Sequence, residues 1–491
     1  MSYSSLKSGT DIRGIASDIF GGEINLTDKA INDIVCAFVC RLTDITEKPA
    51  EEMKISVGHD SRISADRISA AVIGALTKSG VEVVNCNLAS TPAMFMTTVM
   101  LGCDAAVQIT ASHHPADRNG LKFFLPTGGL DGSAISDILA LADSETCYIP
   151  AKTGSVADVD FMAQYAAMLR NKICDAVGKK EEDKPLSGYK IVVDAGNGAG
   201  GFYATEVLER LGADISGSQF LEPDGYFPNH IPNPENKEAM ESICSAVVKN
   251  NADLGIIFDT DVDRAGCVDK YGKEINRNRL IALAASIVAD KPGAIIVTDS
   301  VTSDGLKEFI ENGLGCRHFR FRRGYKNVID KARELCENGE YCPLAIETSG
   351  HAALKENYFL DDGAYLVTKI VIELASHKDI DKMLVSLKMP VEEREYRFKI
   401  LESDFKSYGE MVISELEKYA ASHVDWKIAD DNHEGIRVSA FGGWFLLRLS
   451  VHDPVMPINF ESSVKGGIDK MVFALKDFFK NFSGLDISCF N

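Results

Sequence analysis

The sequence predicts an α/β protein built from three similar α/β domains with mixed sheets and a smaller C-terminal α+β domain. The chain has 491 residues, too many for one hydrophobic core. Over most of that length, short runs rich in β-branched residues alternate with helical patterns, which is typical of α/β layering.

The individual elements follow from these runs in chain order. The predicted strands are KISVGHD, VEVVNCN and AAVQIT in the first stretch, KIVVDAG and DLGIIFD in the second, and AIIVTDS and PLAIE in the third. Amphipathic segments between them, such as SADRISAAVIGALTKSG and NVIDKARELCENG, predict helices. Beyond Pro390 the pattern changes to a strand, a long helix, two strands (GIRVSAF and GWFLLRLSV) and a final helix.

Charged or turn-rich segments mark the predicted domain boundaries. They are GKKEEDKPLSG at 178 to 188, ADKPGA near 290 and KMP near 390. The predicted domains are therefore 1–177, 178–290, 291–390 and 391–491.

Composition excludes some classes of partner. Lys plus Arg is 52 and Asp plus Glu is 72, and the resulting net charge of −20 repels nucleic acid and anionic lipid. The twelve cysteines are scattered without a CxxC pair, which favours reduced thiols. The start MSYSSLKSGTDIRG has no secretory signal pattern, and no apolar run reaches the length of a membrane span. We therefore expect a cytoplasmic protein that binds neither nucleic acid nor membrane.

The segment LGIIFDTDVDRAG carries the first candidate site. An apolar strand ends at Asp259 and delivers Asp261 and Asp263 into the following loop. Three carboxylates at a turn can converge on a hard cation, and an apolar strand seldom ends in three unneutralised charges. Arg264, directly after them, is a candidate phosphate ligand.

Two other types of site were compared with this pattern. An EF-hand loop starting at Asp259 needs Gly at its sixth position and Glu at its twelfth, where Arg264 and Lys270 stand. That interpretation fails. A phosphatase of the haloacid-dehalogenase kind also ends a strand in DxD, but its motif normally has Thr in place of Asp263, so this alternative matches only in part.

The segment AAVQITASHHPADRNGLKFF presents Ser112 in a turn after a strand. A serine hydrolase is a poor match, because there is no GxSxG elbow and His113 is badly placed to act as a base. Taken alone, Ser112 could be an ordinary turn residue.

Taken together, these segments resemble the α-D-phosphohexomutase family. TASHHP, with Lys122 ten residues after the serine, is similar to the family's phosphoserine loop, DTDVDR to its metal loop and ETSGH at 347 to 351 to its sugar-binding loop. Further matches, in family order across nearly the whole chain, are SGTDIRG, VGHDSR, VVDAGNGAGG, PDGYFPNHIPNPEN and DDG. The family fold of four domains around a cleft agrees with the elements above.

The resemblance implies a role for each residue. Ser112 is the implied phosphoryl carrier, and one of its phosphate oxygens joins Asp259, Asp261 and Asp263 in holding Mg²⁺. Arg13 and Lys122 are implied to act in catalysis. The residues implied to bind substrate are Arg264, Glu347, Ser349, His351, Tyr325 and Lys326.

Two loops depart from the family pattern. RFRRGYKNV at 320 to 328 has Tyr325 after Gly324, where the family often has Gly-His. RLSVHDPVMP replaces an RxSGTEP-like loop and leaves Arg448, Ser450 and His452 as the implied phosphate anchors.

The resemblance therefore implies a mutase that interconverts hexose 1-phosphate and hexose 6-phosphate, with mannose, glucose or both as the sugar. It would work through phospho-Ser112 and a hexose 1,6-bisphosphate intermediate, which also serves as activator. The alternatives are a phosphoglucosamine mutase, a non-catalytic phosphosugar-binding protein and the phosphatase named above. We expect a monomer or a homodimer.

Overall fold

The computed structural model describes residues 2–144, 152–450 and 453–490. Two compact units divide the chain: one comprises Met1–Leu280 and Ser349–Asp381, and the other Ile281–Thr348 and Lys382–Asn491. Among the described residues, no helix is both long enough and apolar enough to cross a membrane.

The first sheet of the first unit is mixed. Its order is β1-β2-β6-β5-β3-β4-β8, with β7 on the outer side of β6. Strands β3, β4, β5 and β8 pair in parallel, whereas β6 runs antiparallel to β5 and β2. The strands are β1 (Lys7–Ser8), β2 (Asp11–Ile15), β3 (Lys54–His59), β4 (Glu82–Leu88), β5 (Ala105–Ile109), β6 (Arg118–Leu125), β7 (Gly128–Gly129) and β8 (Val156–Asp158).

Helices cover this sheet because each carries one apolar face. In α1, residues such as Ile31, Val35, Phe38 and Leu42 recur at helical spacing and are buried. Side-chain caps start several helices, for example Ser90 at α3. The helices are α1 (Asp28–Thr46), α2 (Ala65–Lys78), α3 (Thr91–Met100), α4 (Gly132–Asp143) and α5 (Phe161–Val177).

The second sheet of this unit has the order β12-β11-β10-β9. Strand β10 is buried along its whole length, runs parallel to β9 and forms an antiparallel hairpin with β11. Its elements are β9 (Ile191–Asp194), a π-helix (Tyr203–Glu209), α6 (Lys237–Asn250), β10 (Leu254–Phe258), β11 (Ala265–Asp269) and β12 (Glu274–Ile275).

Strands β13, β14 and β15 of the second unit pair in parallel, with β13 between the other two. The elements of this part of the chain are α7 (Asn278–Val288), β13 (Ile295–Asp299), α8 (Asp304–Glu308), a π-helix (Phe309–Gly313), β14 (Arg317–Phe321), α9 (Tyr325–Glu337) and β15 (Leu344–Ile346).

Residues 349–381 of the first unit then form an antiparallel hairpin and a buried helix. The elements from here to the last domain are β16 (Ala352–Leu354), β17 (Leu360–Asp361), α10 (Gly363–Ala375) and α11 (Ile380–Met383).

An antiparallel sheet with the order β19-β20-β21-β22-β18-β23 ends the chain. Its aromatic core, which includes Phe398, Phe445 and Phe479, packs under two helices. The elements are β18 (Glu392–Ile400), α12 (Phe405–Ala421), β19 (Lys427–Ile428), β20 (Ile436–Ala440), β21 (Gly443–Leu447), β22 (Val455–Ser462), α13 (Gly467–Phe479) and β23 (Leu485–Asp486).

The predicted fold class is confirmed: α/β domains with mixed sheets precede a C-terminal α+β domain. Strand β22, which lies between β21 and β18 and contains Pro457, is not among the predicted strands. The proposed domain boundaries near residues 178, 290 and 390 stay predictions.

Candidate active site

Ser112 lies in a tight segment, residues 110–118, which we call the serine loop. It follows β5 and includes Arg118, the first residue of β6. Ser112 has a φ of 51°, a left-handed conformation that non-glycine residues seldom adopt, and its side chain is buried. Its Oγ lies 3.3 Å from Asp259 Oδ2 and accepts a hydrogen bond of 3.0 Å from Arg264 Nη2. The serine loop thus carries its hydroxyl to the end of β10.

The acidic loop, residues 259–264, joins β10 to β11. Asp259, Asp261 and Asp263 are all buried, and one oxygen of each lies within 4.8 Å of the others. Val262 has a φ of 67°, which is unusual for a β-branched residue. This turn allows acids two residues apart to converge.

Burial raises the pKa of the Asp259 carboxyl well above its usual range, and the negative charge of Asp263 adds to the effect. Burial also acts on Asp263, but the charges of Lys122, His351 and Arg264 outweigh it and lower its pKa. Crowded carboxylates in a dry site favour a bound cation or a proton.

Two oxygens of the acidic loop are suited to a metal ion. Asp261 Oδ1 and Asp263 Oδ1 are buried and have no hydrogen-bond partner within the described part of the chain. Carboxylate oxygens are the ligands preferred by hard divalent cations. The buried acidic cluster therefore fits a metal ion.

Lys122 and Thr91 contact the Oδ2 atoms of these acids. Lys122 Nζ, on β6, lies 2.5 Å from Asp263 Oδ2 and 3.1 Å from Asp261 Oδ2. The Thr91 hydroxyl, at the start of α3, donates to the same Asp261 Oδ2 at 2.5 Å. These contacts leave the two Oδ1 atoms for a cation, although Arg264 Nε lies 3.8 Å from Asp263 Oδ1. Sequence reasoning missed Thr91, because nothing in STPAM marks it as more than a helix start.

His113 is a weak candidate for the base of Ser112, although its Nδ1 lies 3.3 Å from Ser112 Oγ. Burial, followed by the charge of Arg264, lowers the pKa of His113 to about 2. Its Nδ1 also accepts a hydrogen bond of 2.5 Å from Arg264 Nη2. The low pKa and this hydrogen bond both oppose uptake of a proton from the serine.

His351 joins the same cluster from the hairpin of β16 and β17. Its Nδ1 forms an ion pair with Asp361 Oδ2. Potential metal-ligand atoms of His351, Asp361 and Asp263 all lie within 4.8 Å of one another. Burial lowers the pKa of His351, but Asp361 and Asp263 outweigh this effect and raise it to about 9. Sequence reasoning matched the DDG motif but did not select Asp361. Ser349, two residues before His351, is buried.

Arg13 lies on β2 with its Cα opposite Gly120 of β6, the strand that carries Lys122. Its Nη2 donates to Asp11 Oδ2 at 2.7 Å. The structure therefore places Arg13 on the strand next to Lys122 and pairs its guanidinium with Asp11.

In the second unit, the predicted sugar-binding residue Glu347 contacts the loop that departs from the family pattern. Glu347 Oε1 accepts the Gly324 N–H at 2.5 Å. Tyr325 follows as the first residue of α9, and Lys326 Nζ lies 3.1 Å from Asp330, one turn further along. The structure joins Glu347 to this loop, while Lys326 pairs along its own helix.

Arg448 follows β21 and is buried. Its Nε has no hydrogen-bond partner among the described residues, and its Nη1 lies 3.9 Å from Glu434 Oε1. Burial lowers the pKa of Arg448. Glu434 Oε2 accepts hydrogen bonds from Ser300 Oγ at 2.5 Å and from Arg323 N at 3.1 Å. Sequence reasoning missed Glu434, which no motif marks.

Ser450, two residues after Arg448, is hydrogen-bonded to residues at the start of β22 and just before it. Its N–H donates to Val455 O at 2.9 Å, and its Oγ accepts the Asp453 N–H at 3.3 Å. His452, the third predicted phosphate anchor, lies outside the described residues.

Known proteins of one family resemble this chain over most of its length. Three family models match: phosphoglucomutase/phosphomannomutase α/β/α domain I at residues 7–148, domain II at 163–272 and domain III at 276–389. A phosphoglucomutase of Neisseria gonorrhoeae is 30% identical over 470 residues, 94% of each chain. A phosphomannomutase/phosphoglucomutase of Pseudomonas aeruginosa is 29% identical, covering 96% of this chain and 94% of that one.

A solved structure of a phosphoglucomutase/phosphomannomutase family protein from Burkholderia thailandensis has a TM-score of 0.80, 26% identity and 98% coverage of both chains. Fold, acidic cluster and relatives together define a sugar-phosphate isomerase. The chain belongs to the phosphoglucomutase/phosphomannomutase family, the α-D-phosphohexomutases. The phosphohexomutase function predicted from the sequence is confirmed.

Proposed function

We propose that this phosphohexomutase interconverts the 1- and 6-phosphates of glucose, mannose or both, with Ser112 as its phosphoryl carrier. The observation that carries the proposal is the position of Ser112 Oγ, 3.3 Å from Asp259 Oδ2 and 3.0 Å from Arg264 Nη2, beside the buried acidic cluster. The names of the relatives, phosphoglucomutase and phosphomannomutase/phosphoglucomutase, support these sugars over glucosamine.

Asp259, Asp261 and Asp263 would hold Mg²⁺, with one oxygen of phospho-Ser112 as a further ligand. When bound, Mg²⁺ neutralises charge on the phosphoryl group in transfer. Arg264, whose Nη2 already donates to Ser112 Oγ, supplies a guanidinium to the same group. Lys122 adds a second positive charge between Asp261 and Asp263.

The reaction would take place in two transfers. In the first, a sugar hydroxyl attacks the phosphorus of phospho-Ser112, the bond between phosphorus and Ser112 Oγ breaks, and the proton of that hydroxyl ends on Ser112 Oγ. The product is a hexose 1,6-bisphosphate, which reorients in the site. In the second, Ser112 Oγ attacks the other phosphoryl group, the bond from that phosphorus to the sugar oxygen breaks, and the sugar oxygen takes up the proton that the serine releases. Added hexose 1,6-bisphosphate acts as activator because it rephosphorylates any enzyme that has lost its phosphate.

The remaining predicted residues would hold the substrate. We assign sugar hydroxyl contacts to Glu347, Ser349 and His351. The residues assigned to the phosphate that is not reacting are Tyr325, Lys326, Arg448, Ser450 and His452. We assign Arg13 a catalytic role beside Lys122. A cytoplasmic location and a monomeric or homodimeric state remain part of the proposal.

A mutase assay with Mg²⁺ and a trace of hexose 1,6-bisphosphate tests the proposal. Glucose 1-phosphate, mannose 1-phosphate and glucosamine 1-phosphate are compared at equal concentrations. We expect the wild-type protein to turn over glucose or mannose phosphate and Ser112→Ala to lose this turnover. The control is Ser245→Ala, at an exposed serine on α6, which should keep the wild-type turnover.

Intact mass and peptide mapping identify the phosphorylated residue. We expect one phosphate on Ser112 after incubation with the bisphosphate. Phosphate on Asp259 with net release of inorganic phosphate would establish the phosphatase alternative. Binding of phosphosugar without turnover of any of the three would establish a non-catalytic binding protein.

A further inference from the structure

The guanidinium of Arg62 is enclosed by the serine loop. The residue is 2% exposed and follows strand β3. Its Nη1 donates to Pro115 O at 2.7 Å and to Arg118 O at 2.9 Å. Its Nη2 donates to His114 O at 2.7 Å and also to the carbonyl oxygen of Ser112. One side chain therefore satisfies four carbonyls of one loop.

A second chain of contacts connects Arg62 to the backbone N–H of Ser112. Arg62 Nε lies 3.2 Å from Asp60 Oδ2, and the same oxygen accepts the Thr110 hydroxyl at 2.7 Å. Thr110 Oγ1 in turn accepts the Ser112 N–H at 2.9 Å. The carbonyl and the N–H of Ser112 are thus both fixed by one buried network.

This network acts on the residue whose backbone is strained. Ser112 has a φ of 51°, and such a conformation persists only where its surroundings determine it. Its orientation sets the distance from Oγ to Asp259 and Arg264. Arginine suits the task because its planar fork has five N–H donors in fixed directions, whereas a lysine ammonium is a compact point charge.

We propose that Arg62 is a positioning residue for phosphoryl transfer, which holds the serine loop so that Ser112 Oγ faces the acidic loop. It acts through the backbone of Ser112 and touches neither substrate nor metal. The inference rests on the proposed role of Ser112 as phosphoryl carrier.

Arg62→Lys tests it, because the charge that pairs with Asp60 is kept and the fork is lost. The matched control is Arg170→Lys. Arg170 is also buried, donates to Glu206 O at 2.6 Å and pairs with Glu181 at 2.9 Å, but it lies on α5 away from the serine loop. Single-turnover transfer from phospho-Ser112 to saturating glucose 1-phosphate is followed by quenched flow, together with melting curves.

We expect Arg62→Lys to slow the transfer by about 10- to 100-fold, since a displacement of 1 Å at a reacting atom has an effect of that size. KM should change by less than about threefold, because the substrate contacts remain. Arg170→Lys should keep the wild-type transfer rate. A folded Arg62→Lys protein with wild-type transfer would overturn the inference.

Thr110 gives an independent test if Arg62→Lys does not fold. Thr110→Val is nearly isosteric and removes the acceptor for the Ser112 N–H, whereas Thr110→Ser keeps it. We expect the valine variant to show the slow transfer and the serine variant to recover most of the rate. Equal rates in both Thr110 variants would refute the inference.

Failure of the proposed function has a different signature. If the wild-type protein carries no phosphate on Ser112 after treatment with hexose 1,6-bisphosphate, the proposed function itself is wrong. If wild-type Ser112 is phosphorylated and transfers normally while the Arg62 and Thr110 variants match it, only the positioning role is wrong.

Discussion

Replacement of Arg448 by methionine should show whether this residue binds substrate phosphate or stabilises the fold. Arg448 is buried, its Nε lacks a hydrogen-bond partner within the described residues, and its Nη1 lies 3.9 Å from Oε1 of Glu434. At an effective dielectric constant of 20, that attraction is about 4 kcal/mol. Removal of an ion from water costs several kcal/mol, so the two contributions nearly cancel.

The expected result is therefore an unequal effect on two measurements. Arg448→Met should change the free energy of unfolding by less than about 1 kcal/mol, because the Glu434 carboxylate keeps its hydrogen bonds from Ser300 and Arg323 when the distant guanidinium is removed. A charge-assisted hydrogen bond to substrate phosphate contributes about 1.5 to 3 kcal/mol, so kcat/KM should fall by roughly 10- to 100-fold.

Arg437→Met is the control, because Arg437 is a buried arginine of the same sheet with a full set of partners. Its Nη2 lies 2.8 Å from Asp304, its Nη1 donates to Ser300 O at 3.2 Å, and it stacks 3.5 Å from the Trp444 ring centroid. The Asp304 carboxylate is half exposed, so the ion pair itself contributes little, but loss of the hydrogen bonds and of the stacking on Trp444 should cost about 2 to 4 kcal/mol. Steady-state kinetics and urea unfolding are measured on both variants.

One combination of results would refute the reasoning. If Arg448→Met unfolds as easily as Arg437→Met and the surviving enzyme keeps wild-type kcat/KM, Arg448 serves the packing of its own domain. A phosphate anchor would then have to be sought elsewhere in the second unit.

Three further predictions concern the first unit. Ser112→Ala should remain folded and lose turnover, as measured by a coupled assay and circular dichroism; full activity would contradict a phosphoserine mechanism. Thr91→Val should weaken Mg²⁺ binding, measured by isothermal titration, by about 10- to 100-fold, because Asp261 loses the hydroxyl that orients it; Thr98→Val, elsewhere on α3, is the control. Burial lowers the pKa of His230, but its contacts with Asp194 outweigh burial and raise it. This pair should stabilise the fold fully below about pH 6.5 and lose its effect as pH rises through the raised pKa. Melting temperatures of wild type and His230→Gln should therefore differ more at pH 6 than at pH 9, and a constant difference would contradict this.

The strand ends that carry chemistry could be predicted from the sequence. The apolar run before Asp259 forms β10 and ends at Phe258, and the run before the serine loop forms β5 and ends at Ile109. In both cases a buried strand stops where polar residues begin, so local composition alone locates the residues.

Strand β22 could not be predicted in the same way. Pro457 lacks an N–H, and proline within a run argues against an interior strand. In the structure Pro457 contributes its carbonyl oxygen, which accepts the Arg448 N–H at 3.1 Å. The sheet tolerates the proline there, and β22 begins at Val455, inside the segment RLSVHDPVMP.

The partners that orient the site were also beyond the reach of sequence. Thr91 and Asp261 are 170 residues apart in the chain, and Arg62 and Ser112 are 50 apart. Local patterns such as helix periodicity report only neighbours within a few turns. Contacts between distant segments follow from tertiary packing, which no single motif encodes.

Ser112 is 3% exposed, and this burial affects the state in which the protein is purified. A phosphoryl group on a shielded serine is poorly accessible to water, so it should outlast purification. Two preparations with the same sequence and fold could then differ in specific activity according to the sugar phosphates that each had met in the host cell. Phospho-Ser112 would add the same mass whichever sugar phosphate supplied it, so intact mass would report the phosphorylated fraction of each preparation before any assay begins.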